Sequence, residues 1–311
     1  MSANNNTKFN SSLFLLTGIP GIEDVHLWIS ILFCLTYALS ILGNSIILHV
    51  IRKDTSLHKP MYVFLSMLAI TDIGLSIATM PTILGIYMLN YREISFNACF
   101  AQLFFIHFLQ CTESSLLLLM AFDRYIAICD PLRYASILTL PRVTKMGLLC
   151  VLRGLAMILP LPLLLKRYQY CRIGILSHSY CLHQDVMKTA CSDITVNSVY
   201  GLIARLLTMG LDSLLIFLSY VMILSAVLSI VSRTECMKAL NTCVSHLCAV
   251  LIFYIPEIGL TVIFRFVKGY SPMLSVLLGY MSVLVPPLLN PIVYSVKSKH
   301  LRARVIRVFI R

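Results

Sequence analysis

Seven long apolar segments follow one another along this chain and limit the folds open to it. A helix rises 1.5 Å per residue, so about 20 apolar residues cross the roughly 30 Å core of a bilayer. With 59% hydrophobic and only 12% charged residues, the chain lacks the charged surface of a soluble domain, which is about 25% charged. We therefore predict an all-α, integral membrane bundle of seven transmembrane helices, called spans 1 to 7. They cover residues 27–51, 61–88, 98–128, 143–165, 196–231, 240–266 and 272–296.

Lys and Arg are unevenly distributed over the segments that flank the spans. The side that includes the C-terminal tail carries fifteen of them, and the other side carries eight. Because short loops rich in Lys and Arg stay in the cytoplasm, the tail is predicted inside the cell and the N-terminus outside. The net charge of +12 is then explained by basic residues at the ends of the spans, where anionic inner-leaflet lipid attracts them. No nucleic-acid partner is expected.

Residues 27–296 are predicted to form one seven-span domain, flanked by an outer arm (1–26) and an inner tail (297–311). Neither a linker nor a repeat divides the chain. The arm lacks the features of a cleaved signal peptide, so the first span is expected to direct insertion. Its two sequons make Asn5 and Asn10 predicted glycosylation sites. The tail alternates basic and apolar residues, which predicts a short amphipathic helix on the inner leaflet; a disordered basic tail is the alternative.

Six short motifs stand at particular places in these spans. They are Gly43-Asn44 in span 1, Pro60-Met61-Tyr62 through Asp72 in span 2, Met120 through Tyr125 (MAFDRY) ending span 3, Ser219-Tyr220 in span 5, Lys238 through Ser245-His246-Leu247 entering span 6, and Pro287 through Tyr294 (PLLNPIVY) in span 7. In this order and placement they resemble the rhodopsin-like (class A) G-protein-coupled receptors, and specifically the olfactory receptors. The HSYC and HQD stretches of the connection before span 5, and GIPG in the arm, resemble the class I (fish-like) group.

The resemblance implies a plasma-membrane receptor that binds a small odorant in the outer half of the bundle. Such receptors activate a heterotrimeric G protein of the olfactory stimulatory type and raise cAMP. Class I members often respond to carboxylic acids, so an acid is the first ligand expected and a polar neutral odorant the alternative. A metabolite- or steroid-sensing receptor outside the nose fits the same motifs. An ion or proton transporter is a third reading, but inverted repeats are missing, and without a catalytic motif no enzyme activity is expected.

The inner end of span 3 places Arg124 next to Asp123, where an ion pair would satisfy the guanidinium while the inner face is closed. By resemblance, activation frees this arginine to face the G protein; snorkelling to lipid headgroups is the alternative. Prolines inside spans kink helices, and hinges are expected at Pro256 and Pro291. The residues to which the resemblance assigns coupling or switching are Asp123, Arg124, Tyr125, Tyr220, Tyr254, Asn290, Pro291 and Tyr294.

Four cysteines fall in polar segments that the topology places outside, namely Cys99, Cys171, Cys181 and Cys191. By resemblance, Cys181 is expected to bridge to Cys99 and Cys171 to Cys191, and a secretory route permits both. The first bridge would tie the outer connection across the bundle and roof a cavity, which reduces loop entropy. Free buried thiols are the alternative.

Asp72, Glu113 and Asn290 are polar residues expected deep in spans 2, 3 and 7. Inside a membrane such side chains must face the bundle interior and find a partner. The resemblance supports a sodium ion at Asp72, with Glu113 as a second negative group. Alternatively, one of the two carboxyl groups is protonated and hydrogen-bonded. No other cofactor is expected.

The outer halves of spans 3, 5 and 6 are unusually polar, which predicts the ligand cavity there. Arg205 lies too deep to be unpaired, and Glu257 on the neighbouring span is its expected partner. An acid would be held at Arg265 with His107 and Gln184 by charge-assisted hydrogen bonds, although Glu257 could repel an acid placed too deep. Alternatively, His107 is a hydrogen-bonded residue of the core and does not bind the ligand. The predicted ligand-binding residues are His107, Gln110, Cys111, Gln184, Arg205, Glu257, Thr261 and Arg265.

Overall fold

The computed structural model of the chain describes residues 13–19, 21, 25–170, 174–228, 233–267, 269 and 271–310. In this part, seven helical segments are long and apolar enough to cross a membrane, in agreement with the prediction. In chain order the helices are α1 (His26–Lys53), α2 (Pro60–Leu89), α3 (Phe96–Cys129), α4 (Tyr134–Ile137), α5 (Leu140–Ile158), α6 (Pro160–Leu165), α7 (His183–Lys188), α8 (Thr195–Arg205), α9 (Leu211–Leu228), α10 (Arg233–Phe266), α11 (Pro272–Lys297) and α12 (Lys299–Ile310).

The ends of spans 2 and 3 follow from local chemistry. Pro60 opens α2 at a position where its missing N–H costs no hydrogen bond. Asn90 ends the helix in the left-handed region, at φ 49°, which asparagine tolerates better than most residues. Ser95 then caps α3, because its hydroxyl oxygen accepts from the backbone N–H of Ala98 at 3.4 Å.

Spans 4 and 5 each consist of more than one helical segment. Span 4 consists of α5 and α6, which meet at Leu159, since Pro160 has no N–H to continue the ladder and its ring crowds the preceding turn. Span 5 consists of α8, a π-helical turn over Leu206–Gly210, and α9. The break in span 4 lies at Pro160, one of the prolines inside the predicted spans, whereas the sequence prediction did not include the π-helical turn of span 5. The end predicted at 231 lies outside the described residues.

The spans differ in how much of their surface faces the lipid. In the most apolar window of span 3, 67% of the residues are buried, whereas in span 5 only 22% are buried. Span 3 therefore forms the centre of the bundle, and span 5 lies at its edge. The exposed residues of span 5 include Leu214, Phe217 and Leu218, an apolar surface that water would penalise and a bilayer does not.

A small sheet covers the outer end of the bundle, which an all-α prediction does not foresee. Strand β1 (Leu13–Leu16) pairs antiparallel with β2 (Glu93–Ser95) and parallel with β3 (Ile175–Leu176). Phe14 and Leu16 alternate inward along β1 and are buried. The ring of Phe14 stacks on Phe96 with centroids 4.3 Å apart. The arm and the outer connections thus form one roof, although Asn5 and Asn10 lie outside the described residues.

The tail forms α12, as the amphipathic pattern predicts. Leu301 is buried against the inner core of the bundle, and neighbouring Arg302 is exposed. The guanidinium of Arg304 donates to Asp54 between spans 1 and 2 at 2.8 Å. Two hydrogen bonds from Ser56 lower the pKa of Asp54, and the charge of Arg304 adds a smaller effect in the same direction. This carboxylate therefore stays ionised at neutral pH. The tail is therefore tied to the inner face of the bundle.

Candidate ligand-binding site and inner switch

A small cavity lies in the outer half of the bundle, between spans 3, 4, 5 and 6 and α7. Its volume is about 30 Å³, so a ligand larger than a few atoms has to push side chains apart as it enters. Six of the eight predicted ligand-binding residues line it: His107, Cys111, Gln184, Arg205, Thr261 and Arg265. Gln110 and Glu257 do not line this cavity and lie behind Arg205.

Arg205, Glu257 and Gln110 form a hydrogen-bonded cluster at the deep side of the cavity. Arg205 Nη1 donates to Glu257 Oε2 at 2.7 Å, which is the ion pair predicted from sequence. Gln110 Nε2 donates to the other oxygen, Oε1, at 2.5 Å. Glu257 is 2% exposed, so the cluster is shielded from solvent and the charge of Arg205 is balanced within the protein.

Three polar atoms around the cavity have no hydrogen-bond partner among the described residues. They are Nε of Arg265, Nε2 of His107 and Oε1 of Gln184. Arg265 uses Nη2 for a long contact of 3.3 Å to the backbone oxygen of Ser198. Buried polar atoms are costly when unpartnered, so these groups are available to a polar ligand.

His183 also lines the cavity, and the sequence prediction missed it. One ring nitrogen, Nε2, lies 3.0 Å from Asn197 Oδ1. Burial, together with the charges of Arg205 and Arg265, lowers the pKa of His183 to about 4 despite this hydrogen bond. The imidazole is therefore neutral at physiological pH and adds no positive charge to the cavity. The sequence feature that could have indicated His183 as a cavity residue is its position in the HQD stretch, next to Gln184.

A second buried ion pair below the cavity was missed as well. Arg153 of span 4 donates through Nη1 to Asp212 of span 5 at 2.8 Å. Ser114 of span 3 donates to the same carboxylate at 2.9 Å and lies 2.7 Å from the hydroxyl of Tyr254 in span 6. One polar network thus joins four spans. A charged residue inside an apolar span needs a partner within the bundle. The sequence prediction used this rule for Arg205 but not for Arg153 and Asp212.

The predicted sodium residues meet near the centre of the bundle. Asn290 Nδ2 lies 3.1 Å from Asp72 Oδ2 and 3.3 Å from Glu113 Oε1, so one amide group contacts both carboxyl groups. Both carboxyl side chains are buried. Within the described part of the chain, neither forms an ion pair with Lys, Arg or His. The carboxyl oxygens suit a small cation, which prefers oxygen ligands, or a shared proton, whereas the Asn290 amide presents its nitrogen to both groups as a hydrogen-bond donor.

The inner end of span 3 holds the predicted pair of Asp123 and Arg124, with Oδ2 and Nη2 3.0 Å apart. Tyr134 of α4 donates to the other carboxylate oxygen at 2.8 Å. Burial, and then the neighbouring Asp123, raise the pKa of Tyr134, so its hydroxyl keeps the proton that it donates. The guanidinium of Arg124 also contacts the sulfur of Met61 in span 2. In this arrangement the arginine is held among spans 2 and 3 and α4.

The other predicted switch residues pack around this end of the bundle. The hydroxyl of Tyr220 lies 2.7 Å from Nδ1 of His246, which connects spans 5 and 6. Tyr125 packs against the same small apolar cluster as Tyr220. Tyr294 is buried with its hydroxyl 3.9 Å from the Met120 sulfur. For Pro291, the close neighbour is Gly43, where an added Cβ would lie 3.1 Å from the proline ring.

The disulfide predicted at the outer end of span 3 is present. Cys99 and Cys181 are bonded, with Cα atoms 5.4 Å apart. The backbone N–H of Cys181 also donates to Gln102 at 2.9 Å, which fixes the outer connection over the cavity. Cys191 is disulfide-bonded too. Because Cys171 lies outside the described residues, its pairing with Cys191 stays a prediction.

Known proteins resemble this chain over almost its whole length. The sequence model described as Olfactory receptor matches residues 33–311. Olfactory receptor 51G2 of Homo sapiens is 56% identical over 308 residues, covering 99% of this chain and 98% of that protein. Olfactory receptor 51E1 of Homo sapiens is 51% identical over 305 residues, covering 98% and 96%. Squid rhodopsin superposes with a TM-score of 0.76 at 18% identity, covering 92% of this chain and 86% of that one.

The family match and the fold together define the class of protein. Both relatives belong to olfactory receptor group 51, with which the predicted class I type is consistent. Rhodopsin shares the seven-helix fold at low identity. Such proteins are receptors and not enzymes, and they cross the plasma membrane several times. This chain therefore belongs to the olfactory receptor family, within the rhodopsin-like (class A) G-protein-coupled receptors.

Proposed function

We propose that this receptor binds a small carboxylic acid in the outer-half cavity and then activates a stimulatory G protein of the olfactory type, which raises cAMP. The observation that carries the proposal is the charge balance of the cavity. Arg205 is neutralised by Glu257 at 2.7 Å. Arg265 lines the same cavity, and its Nε has no partner among the described residues. One uncompensated positive charge favours an anionic ligand, held by charge-assisted hydrogen bonds.

The neighbouring polar groups suit the rest of a carboxylic-acid head group. His107 and Gln184 each present an unpartnered polar atom, and both line the cavity with Arg265. The remaining lining is largely apolar and includes Ile158 and Leu161 of span 4. A short alkyl chain would be buried there while the acid group remains near the arginine.

Replacement of Arg265 by Ala tests the acid directly. Each charge-assisted hydrogen bond is worth about 1.5–3 kcal/mol, so we expect the concentration for half-maximal cAMP response to acids to rise by about 10-fold or more. Arg265→Lys is the matched control, since it keeps the charge but loses the planar fork, and its effect should be smaller. Unchanged acid responses in Arg265→Ala would leave a neutral alcohol, aldehyde or ketone as the ligand class.

The coupling part of the proposal rests on the Asp123–Arg124 pair at the inner face. Arg124→Ala, at matched surface expression, should abolish the acid-evoked cAMP rise, because the freed arginine is the group expected to contact the G protein. Cells that contain the olfactory stimulatory subunit should respond more strongly than cells without it. An acid-evoked calcium signal without cAMP would contradict this coupling.

We also propose that a sodium ion stabilises the inactive bundle, held by Asp72 and Glu113 with Asn290 beside them. The two buried carboxyl groups, both within hydrogen-bond distance of one Asn290 amide nitrogen, support this site. Bound sodium would offset the repulsion between the carboxylates. If so, replacing sodium chloride by choline chloride should lower the melting temperature of the purified receptor, and Asp72→Asn should remove that dependence. Equal melting temperatures in both salts would favour the protonated alternative.

A further inference from the structure

Two arginines line one small cavity in this receptor, and only one of them has a counter-ion among the described residues. Arg205 comes from span 5 and Arg265 from span 6. Glu257 contacts Arg205 at 2.7 Å, whereas no carboxylate of the described residues lies within ion-pair distance of Arg265. The two cationic positions are therefore chemically different, although both line the cavity.

The carboxylate of Glu257 is firmly held. Oε2 accepts from Arg205 and Oε1 accepts from Gln110 of span 3, so both oxygens are used. The backbone oxygen of the same residue accepts from Thr261 at 2.9 Å. With 2% of its surface exposed, the side chain has no direct contact with bulk water. A ligand group that displaced it from Arg205 would leave a buried carboxylate without its cation, which is strongly unfavourable.

We infer that Glu257 is a built-in carboxylate that fills the Arg205 subsite and restricts this receptor to ligands with a single negative charge. This inference rests on the proposed function, because it takes Arg265 as the subsite for the ligand acid. Glu257 does for Arg205 what a second carboxylate of a ligand would otherwise do. For a dicarboxylate, Arg265 is then available but Arg205 is already paired with Glu257. The second negative charge of the ligand would be buried without a counter-ion.

The unmodified receptor gives the first test. Short dicarboxylic acids of three to six carbons are compared with their monomethyl esters, which have nearly the same length but one charge fewer. We expect the monoesters and the matched monocarboxylic acids to raise cAMP, and the free dicarboxylates to need at least about 10-fold higher concentrations. A dicarboxylate as potent as its own monoester would overturn the inference.

Glu257→Gln provides the second test, because glutamine has the same shape without the charge. Releasing Arg205 should improve the potency of dicarboxylates relative to monocarboxylates by at least about 10-fold. Glu257→Asp keeps the charge and should keep the original preference. A double variant, Arg205→Gln with Glu257→Gln, removes both charges and should gain no dicarboxylate response. If the ratio of dicarboxylate to monocarboxylate potency is unchanged in Glu257→Gln at matched surface expression, the role of Glu257 is refuted.

The two tests separate this inference from the proposed function. If monocarboxylic acids activate the unmodified receptor but the dicarboxylate ratio does not respond to Glu257, only the inference fails. If no acid or monoester activates it while neutral odorants do, the carboxylic-acid proposal fails and the inference fails with it. Where Glu257→Gln does not reach the surface, the comparison of diacids with monoesters on the unmodified receptor still decides the question.

Discussion

Arg153 and Asp212 form an ion pair within two apolar spans, with Nη1 and Oδ1 2.8 Å apart. The other end of the guanidinium, Nη2, donates to the backbone oxygen of Leu207 at 2.6 Å, inside the π-helical turn of span 5. A π turn leaves carbonyl groups without their usual α-helical partners. The arginine therefore satisfies the irregular backbone of span 5 and balances the charge that follows it.

Removing either charge of this pair should destabilise the receptor, but by unequal amounts. Asp212 is 1% exposed and Arg153 is 28% exposed, so an orphaned aspartate costs more than an arginine that can turn towards lipid headgroups. We expect Arg153→Met to cost about 3 kcal/mol, by analogy with other broken buried pairs, and Asp212→Asn to cost less. The double variant should recover part of the loss. Melting temperatures of the purified variants measure this, and purely additive losses would contradict the pairing.

The disulfide between Cys99 and Cys181 should be needed for a stable roof. It closes a loop over a sequence separation of 82 residues, which the chain-entropy model values at about 4.5 kcal/mol. Since inserted helices already confine the chain, this figure is an upper bound. The double replacement by Ala should reduce surface expression and ligand response strongly. Cys34→Ala, at a half-buried free cysteine, is the control and should behave like the unmodified receptor.

Acidification should weaken the outer half of the receptor through His183. Its pKa is lowered from 6.5 to about 4 in the folded protein, so the unfolded chain binds more protons between these values. Stability is therefore lost as the pH falls through this window, by about 2 kcal/mol at pH 5. The melting temperature of the ligand-free receptor should drop between pH 7.4 and pH 5. His183→Gln cannot titrate and should show a smaller drop; an equal drop would exclude this histidine as the cause.

Gly279 of span 7 should tolerate no larger side chain. A Cβ at this position would lie 2.7 Å from Cδ2 of His178 and 2.9 Å from the hydroxyl of Tyr180, both buried in the outer connection. Overpacking of this kind typically costs about 1–3 kcal/mol. Gly279→Ala should therefore lower surface expression and melting temperature. Gly210→Ala is the control, because its Cβ would make only ordinary contacts, and equal effects of the two would argue against the clash.

The parts of this structure that could be predicted from sequence are those set by local pattern. Apolar length gave the seven spans, and the spacing of basic and apolar residues gave the tail helix. The ion pair of Arg205 with Glu257 was predictable because each charge lies in an apolar span, so each needs a partner from the neighbouring span. The same logic applies to Arg153 and Asp212, whose pairing required knowledge of which faces of spans 4 and 5 meet.

Other features depend on tertiary contacts that leave little local trace. The π-helical turn at Leu206–Gly210 contains no proline. The backbone carbonyl of Leu207 in this turn accepts a hydrogen bond from Arg153, which is distant in sequence. Strand β1 is only four residues long, and the segments that pair with it lie far along the chain. Gln110 and Glu257 share the expected region of the bundle, yet they support Arg205 from behind instead of lining the cavity. Such second-layer positions follow from packing and not from spacing.

Strand β1 precedes both of its partners, β2 and β3, in the chain. Thr17, just after the strand, donates to the backbone oxygen of Leu176 over a sequence separation of 159 residues, and β3 follows span 4 in the chain. β2 and Phe96 become available to β1 after span 2, but β3 becomes available only after span 4. Completion of the roof is thus a late event of biogenesis, which has to follow the synthesis of span 4.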